Sequence, residues 1–423
     1  MNVGAAEIDI TPDFPVELSG FALRPQPSSG VEDSIFARAL YLEGGAERLL
    51  WIACDVIAFD RELVERFRAW AGNELNFEPR QVLLSATHTH TAPATIHLTA
   101  AGQYSPRYVA LLEEMLHQVA RRATAATEPC DMIHAHVSIE LAIDRRGTPT
   151  AHVDPFVSAL AWKRRDGRGY QAACVNYAMH PVSFGRDFNR ISADWCGSTS
   201  RAVSGALEGS PITLVSNGAA GNLNPPEMGV SAEKVAEVGR SVGEALAAGL
   251  RGAKPRAAEV FQVRSMTVAL PLDHLDAEGI DRVADERLKN HPPGWVLAEP
   301  IREAVGTWRE AMKRIVAAGG GREVPFEIQA IRIDDQVIVG VSGEMFSRFT
   351  EMLRKRTNED LFVVGYANAA FGYIPTSAAY DEGGYEVETA HFFYNSFRPA
   401  RGGLEMLVDR AVELIEGMKR PDP

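Results

Sequence analysis

Short apolar runs alternate with amphipathic stretches along this chain. Leu49-Leu50-Trp51-Ile52-Ala53-Cys54 has the length and composition of a buried strand. A segment of helical periodicity follows over about 61–75, and then the apolar Val82-Leu83-Leu84. Ser105-Pro106 reads as an N-cap with proline at the first helical position. Behind it, Tyr108, Leu112, Met115, Leu116 and Val119 make one apolar stripe. A second helix is predicted from Ser231, with Val235, Val238, Val242 and Leu246 on one face. Residues 328–341 alternate on both sides of Asp334-Asp335 and predict a β-hairpin. A last helix is expected over roughly 404–418.

Strands and helices mixed throughout predict an α/β (mixed α+β) fold with a large central mixed sheet flanked by helices. No Pro/Ser/Gly linker, repeat or low-complexity tract divides the chain, so 1–423 is expected to be a single domain. The charged, helical stretch 273–321, interrupted by His291-Pro292-Pro293-Gly294, is expected as a helical excursion packed over the sheet. Hydrophobic residues are 46% and charged residues 23% of the 423, enough for a sizeable core. The net charge of -13 argues against a nucleic-acid partner, which a basic face would serve. Cys54, Cys130, Cys174 and Cys196 show no CxxC spacing and are expected as buried thiols. The N-terminus MNVGAAEIDITPDFP carries no basic segment ahead of an apolar core, and no window is apolar enough to span a membrane. A cytoplasmic protein that acts on a small molecule away from membranes is expected.

Candidate chemistry gathers where strand-like runs end in polar loops. In Ser85-Ala86-Thr87-His88-Thr89-His90, two histidines stand two residues apart; in extended backbone both would face one pocket. Val175-Asn176-Tyr177-Ala178-Met179 delivers His180. Ile212-Thr213-Leu214-Val215-Ser216 runs into 217–226, where small residues let the backbone approach a ligand. Glu344 follows the hairpin, and an aromatic group follows over 366–373 with Tyr380 and Tyr385. Each has a plainer reading: a satisfied loop histidine, a solvated glutamate, packed aromatics. Together, two or three histidines and one carboxylate match the inventory of a catalytic zinc site, which uses about three protein ligands and leaves a place for water.

The motifs GAAEIDITP, SATHTHTAP, IDRRGTPTAH, VDPFVSAL, YAMHPVSF, SNGAAGNLNPP, SGEMF and YANAAFGYIPTSAAYDEGGYE appear in this order along nearly the whole chain. In them the sequence resembles the neutral (alkaline, non-lysosomal) ceramidases, specifically their N-terminal catalytic domain. The resemblance implies one catalytic zinc ion with His88, His180, Glu344 and Tyr373 as ligands. It implies His90 as a further imidazole that exchanges a proton with the reacting group, and Tyr385 and Arg145 beside the scissile carbonyl. Asn224 stands where the family typically carries serine, so an attacking water is expected rather than a side-chain nucleophile. Neither a leader, a C-terminal β-sandwich domain nor an apolar membrane-docking stripe is evident in the sequence.

The expected activity is zinc-dependent hydrolysis of a linear amide in a small, soluble N-acyl compound rather than ceramide. Two other readings fit the same residues: action on another carbonyl substrate (ester or lactone hydrolase, lyase or isomerase), and a non-catalytic metal-binding relative. Nitrogen and oxygen ligands suit several divalent ions besides zinc. Nothing in the sequence fixes the oligomeric state.

Overall fold

Strand alternation divides the apolar run 49–54 between two cores. In a computed structural model describing residues 1–24, 27–291 and 297–418, Leu49, Trp51 and Ala53 pack on one side and Leu50, Ile52 and Cys54 on the other. The run belongs to an eight-stranded sheet built from β1 (Asn2–Asp9), β2 (Phe36–Gly44), β3 (Glu47–Cys54), β4 (Val82–Ala86) and β5 (Thr127–Ser138). After the two-residue β6 (Ile143–Asp144), β7 (Phe156–Arg164), β8 (Tyr170–Tyr177) and β9 (Ile212–Asn217) complete it, in the order β4-β3-β2-β1-β5-β7-β8-β9. Within this sheet, among the described residues, only β3/β4 and β8/β9 are parallel pairs. β10 (Leu223–Asn224) pairs with β6.

A second sheet contains β11 (Phe261–Pro271), β12 (Glu323–Ile333) and β13 (Gln336–Val341). Past the short β14 (Glu344–Met345), β15 (Leu361–Val364) joins β13 in parallel, and β16 (Tyr373–Ile374) pairs with β14. The hairpin predicted over 328–341 is β12/β13, and Asp334 at φ 55 makes its turn. The two sheets face each other across an apolar layer. Leu40, Trp51, Leu83 and Trp162 come from the first; Val263, Ile331, Ile338 and Phe362 come from the second. Burying each such side chain contributes about 1.5–3 kcal/mol.

Helices cover the outer faces. α1 (Arg61–Leu75) begins at Asp60, whose side chain accepts from Leu63 N, and α2 (Pro106–Ala125) at Ser105, whose side chain accepts from Tyr108 N. The α2 stripe is buried at Tyr108, Leu112, Leu116 and Val119 and half-buried at Met115. α3 (Asp194–Ala206) and α4 (Ala232–Gly252) cover β5 and β7–β9, with Val235, Val242 and Leu246 buried. The C-terminal helix, Gly403–Gly417, packs its Leu404, Leu407, Val408 and Ile415 on the second sheet. The result is a helix–sheet–sheet–helix sandwich. All four cysteines are buried and free. No helix among the described residues is long and apolar enough to cross a membrane.

The excursion forms α5 (Ala277–Asn290) and α6 (Ala298–Ala317); the Pro292-Pro293-Gly294 part of its expected break lies outside the described residues. Its apolar faces do not lie on a sheet. Ile280 and Ala284 meet Ile301, Val305, Trp308 and Met312 over Phe392, Phe393 and Phe397. Trp308 Nε1 donates to Ser396 O at 2.7 Å, and His391 stands edge-on to Trp308 at 5.7 Å.

Burial pushes the His391 imidazole down to about 3, and Arg398 and Arg287 act in the same direction. The unfolded chain takes up that proton near about pH 6.5, so the associated stability is present above that pH and is lost as pH falls toward about 3. Urea unfolding should therefore show stability declining below about pH 6.5, and His391→Phe should make that decline shallower. Identical slopes in the two proteins would contradict this account of the excursion's anchor.

Candidate active site

The parallel strand pairs end at one place, and the loops leaving β4, β8, β9, β13 and β15 meet there. Asn217, which closes β9, donates from Nδ2 to Thr87 O at 3.3 Å and accepts from Met179 N at 3.2 Å. Gly365 N donates to Asn217 O at 2.9 Å, and Asn368 N to Leu84 O at 2.7 Å. Ligand sites in open α/β sheets form at such carboxyl ends.

β4 stops at Ala86, and His88 has φ 66, in the left-handed region. His88 and His90 share a pocket because the chain turns between them; strand alternation, the expected cause, does not operate there. Backbone bonds hold the turn: Thr87 N donates to Cys54 O at 2.9 Å and His88 N to Val56 O at 3.0 Å. Thr89 and Thr91 hydroxyls donate to Ser192 O at 3.0 and 2.9 Å. The His88 ring lies 5.0 Å from His90 and 5.0 Å from His180, and His90 lies 5.8 Å from His180.

Backbone carbonyls set the tautomers. His88 Nδ1 is 2.7 Å from Ile57 O; His180 Nδ1 is 2.8 Å from Ala220 O and 3.0 Å from Leu223 O. A carbonyl only accepts, so each Nδ1 carries the proton and each Nε2 presents a lone pair. Both lone pairs point at Glu344: Nε2 of His88 is 3.4 Å and Nε2 of His180 is 3.2 Å from Oε2. Burial pushes His180 down to about 4, so that ring is neutral at neutral pH.

Glu344 is buried, not solvated as its strand-end position alone would suggest. Burial would raise its carboxyl, and only the charged forms of His88 and His180 would oppose it and hold it well below the usual range. Its Oε1 accepts from the Tyr394 hydroxyl. Gly221 admits the Glu344 backbone, because a Cβ there would lie 2.4 Å from Glu344 O.

Tyr373 faces Glu344 across the β14/β16 pair. Its hydroxyl accepts from Arg145 Nη2 at 3.1 Å. Burial pushes the phenol well above its ordinary value, while Arg145 pulls the other way. Arg145 is tied down at every nitrogen: Nε to Glu386 Oε1 at 2.8 Å, Nη1 to Asn224 Oδ1 at 3.1 Å, and Nη2 also to Gly221 O at 2.8 Å. Asn224 thus orients Arg145. Tyr385 stands edge-on to Tyr373 at 5.8 Å and is 46% exposed, at the rim.

His90 sits closer to the centre than a purely substrate-facing role requires. One ring nitrogen from each of His88, His90 and His180 lies within 4.8 Å of the others. Both His90 nitrogens are buried without a partner among the described residues. Burial, with His88 and His180, pushes this imidazole well below its ordinary value. Phe21 stands edge-on to it at 5.0 Å, and Arg24 Nη1 donates to His90 O at 2.8 Å. Gly20 makes room, since a Cβ there would lie 2.4 Å from His90 Nδ1.

The donor set fits a divalent transition ion. Bonds of about 2.0–2.1 Å at the tetrahedral angle place ligand atoms about 3.3 Å apart, and the two Nε2-to-Oε2 separations bracket that value. Backbone carbonyls on the distal imidazole nitrogens are the usual support of metal-binding histidines. Sequence reasoning missed Tyr394, Glu386, Phe21 and Arg24. It saw Tyr366 only as one of an aromatic group, whereas the ring stacks on His88 at 4.0 Å. No local signal distinguishes Tyr394 within HFFYNS; the acidic Glu386 after Gly383-Gly384-Tyr385 was the one visible hint.

Among solved structures, the neutral ceramidase from Pseudomonas aeruginosa superposes with a TM-score of 0.73 at 19% identity, covering 100% of this chain and 75% of that one. A structure described as ceramidase complexed with C2 superposes with a TM-score of 0.75 at 18% identity, covering 98% of this chain and 75% of that one. At such identities the likeness is one of fold. No curated protein matches the sequence. Residues 1–217, just over half the chain, match the family described as neutral/alkaline non-lysosomal ceramidase, N-terminal. That stretch carries both histidines of the THTH turn and His180, and the chain belongs to this family.

Proposed function

We propose that this protein is a zinc-dependent amidohydrolase acting on a small, polar N-acyl compound. The convergence of two carbonyl-oriented imidazoles on the buried Glu344 carboxylate carries the reading. His88, His180 and Glu344 would hold the ion, with Tyr373 beside them as fourth ligand; family membership supports hydrolysis of an amide. When bound, zinc supplies a water of lowered pKa and Lewis-acid polarisation of a carbonyl.

The protein's own groups do the rest. Arg145, fixed by Glu386, Asn224 and Gly221, places positive charge beside the Tyr373 hydroxyl and favours its phenolate form. Tyr385 at the rim donates to the carbonyl oxygen as charge develops there. His90, with both nitrogens unengaged among the described residues, carries a proton to the departing nitrogen. Next to the His90 loop lies a cavity of about 620 Å³ lined by Phe21, Arg24, His97, Tyr104, Glu303 and Asn395. Arg24 lines it, and its Nη2 is buried without a partner among the described residues, which supports a polar or acidic acyl portion over a long alkyl chain.

Purified protein should contain zinc, and a screen of N-acyl amides, esters and lactones should show amine release that chelation abolishes and zinc restores. His88→Ala should lose both the metal and the activity. Activity in carefully demetallated protein would overturn the reading, and alcohol release without amine would move it to an ester or lactone hydrolase. Tyr385→Phe should lower kcat by about 100-fold or more, as loss of one donor to a developing oxyanion does, with metal content unchanged. An unchanged kcat would remove Tyr385 from the reaction.

A further inference from the structure

A second cluster of metal-ligating side chains lies where the two sheets part at their edge. Along β5, alternate residues face the second sheet. Cys130 and Met132 are buried in the layer between the sheets, while Ile133 and Ala135 face the helices. The same face continues as His134 and His136, registered opposite Leu160 and Ser158 of β7. An apolar stripe thus turns into two imidazoles as the layer opens to solvent. Asp360, immediately before β15 of the other sheet, meets them there.

His134 Nε2 is 3.6 Å from Asp360 Oδ2, and His136 Nδ1 is 3.6 Å from Asp360 Oδ1. Charge-assisted hydrogen bonds would close to about 2.7–2.9 Å. Ligands of a tetrahedral transition ion stand about 3.3 Å apart, and the observed separation is nearer that spacing. One donor atom from each of the three residues lies within 4.8 Å of the others. The neighbouring charges are already matched: Asp335 pairs with Arg256 at 2.7 Å and Asp154 with Arg354 at 2.8 Å, leaving the Asp360 carboxylate turned to the imidazoles. Phe156 stacks on His136 at 4.4 Å, and Ser158 Oγ, 2.8 Å from its Nδ1, is the contact an ion would replace. Side-chain exposures of 18%, 24% and 40% leave the site open to solvent. Burial pushes both imidazoles below their ordinary value while Asp360 opposes it, so both are neutral donors near pH 7.

We infer that His134, His136 and Asp360 form a second divalent transition-metal site, separate from the one around Glu344, that clasps β5 of the first sheet to the head of β15 in the second. Two imidazoles and a carboxylate select zinc-class ions over magnesium or calcium. The clasp lies at the far end of β15 from Tyr366, which stacks on His88, and would fix the strand that leads there. The inference does not depend on the proposed activity.

Equilibrium dialysis of demetallated full-length protein against zinc tests it. Wild type should bind one equivalent more than His134→Ala/Asp360→Asn, and His88→Ala/His180→Ala should keep that equivalent. Zinc should raise the melting temperature of wild type and of His88→Ala, but less in the clasp variant. Circular dichroism reports folding. Should the double variant misfold, Asp360→Asn alone, on an exposed carboxylate, should weaken this equivalent at least tenfold. Equal zinc stoichiometry and affinity in wild type and a folded clasp variant overturns the site, whatever the total bound by the Glu344 centre.

Discussion

A carboxylate taken out of water must be matched on every side, and Glu344 sets that demand for this molecule. Ionised and buried, it would cost several kcal/mol if left alone. The Tyr394 hydroxyl satisfies one oxygen, and the two imidazole lone pairs that face the other are matched to it only through a shared cation. Each of those partners is in turn anchored: the imidazoles by backbone carbonyls of 57, 220 and 223, and Tyr394 by its place beside the phenylalanines under α6. The sandwich places these anchors, which come from separate loops, around a single point.

What holds the loops together is a set of buried amides rather than apolar contact alone. Asn368 donates from its backbone to Leu84 O and accepts Leu84 N on its side chain at 3.1 Å. Its Nδ2 reaches Gln329 Oε1 at 3.2 Å, and Gln329 Nε2 reaches Arg80 O at 2.6 Å. Asn176 joins the sheets from the other side, donating to Val363 O at 2.7 Å. Apolar packing resists separation of the sheets but tolerates sliding; directional bonds between them do not. The spacing of His88, His180 and Glu344 depends on that register.

Much of this was legible in the residues, and the reasons are local. Ser105 and Ser231 cap helices at the predicted places, and Asp60 caps the helix expected over about 61–75, because a side chain accepting a nearby N–H is a short-range interaction. The hairpin around Asp334-Asp335 was equally local. Periodicity could not divide the strands between two sheets, since an apolar run such as 49–54 is buried on both faces in either arrangement. Nor could it foresee the left-handed His88, whose conformation is imposed by contacts to Cys54 and Val56 from another strand end. The ligand candidates were visible as residue types at strand ends and in the family motifs. Tyr394 and Arg24 were not, because their roles arise only when distant segments meet.

The excursion joins two parts of the site that the chain order keeps apart. Glu303 and Thr307 of α6 wall the cavity beside His90, while Trp308 of the same helix packs on the segment that carries Tyr394 to Glu344. A molecule that settled α6 in place would therefore act on the segment that carries that hydroxyl as well. Thermodynamic linkage makes that relation mutual: whatever factor a cavity occupant would add to the hold of His88, His180 and Glu344 on an ion, the ion would return to the occupant.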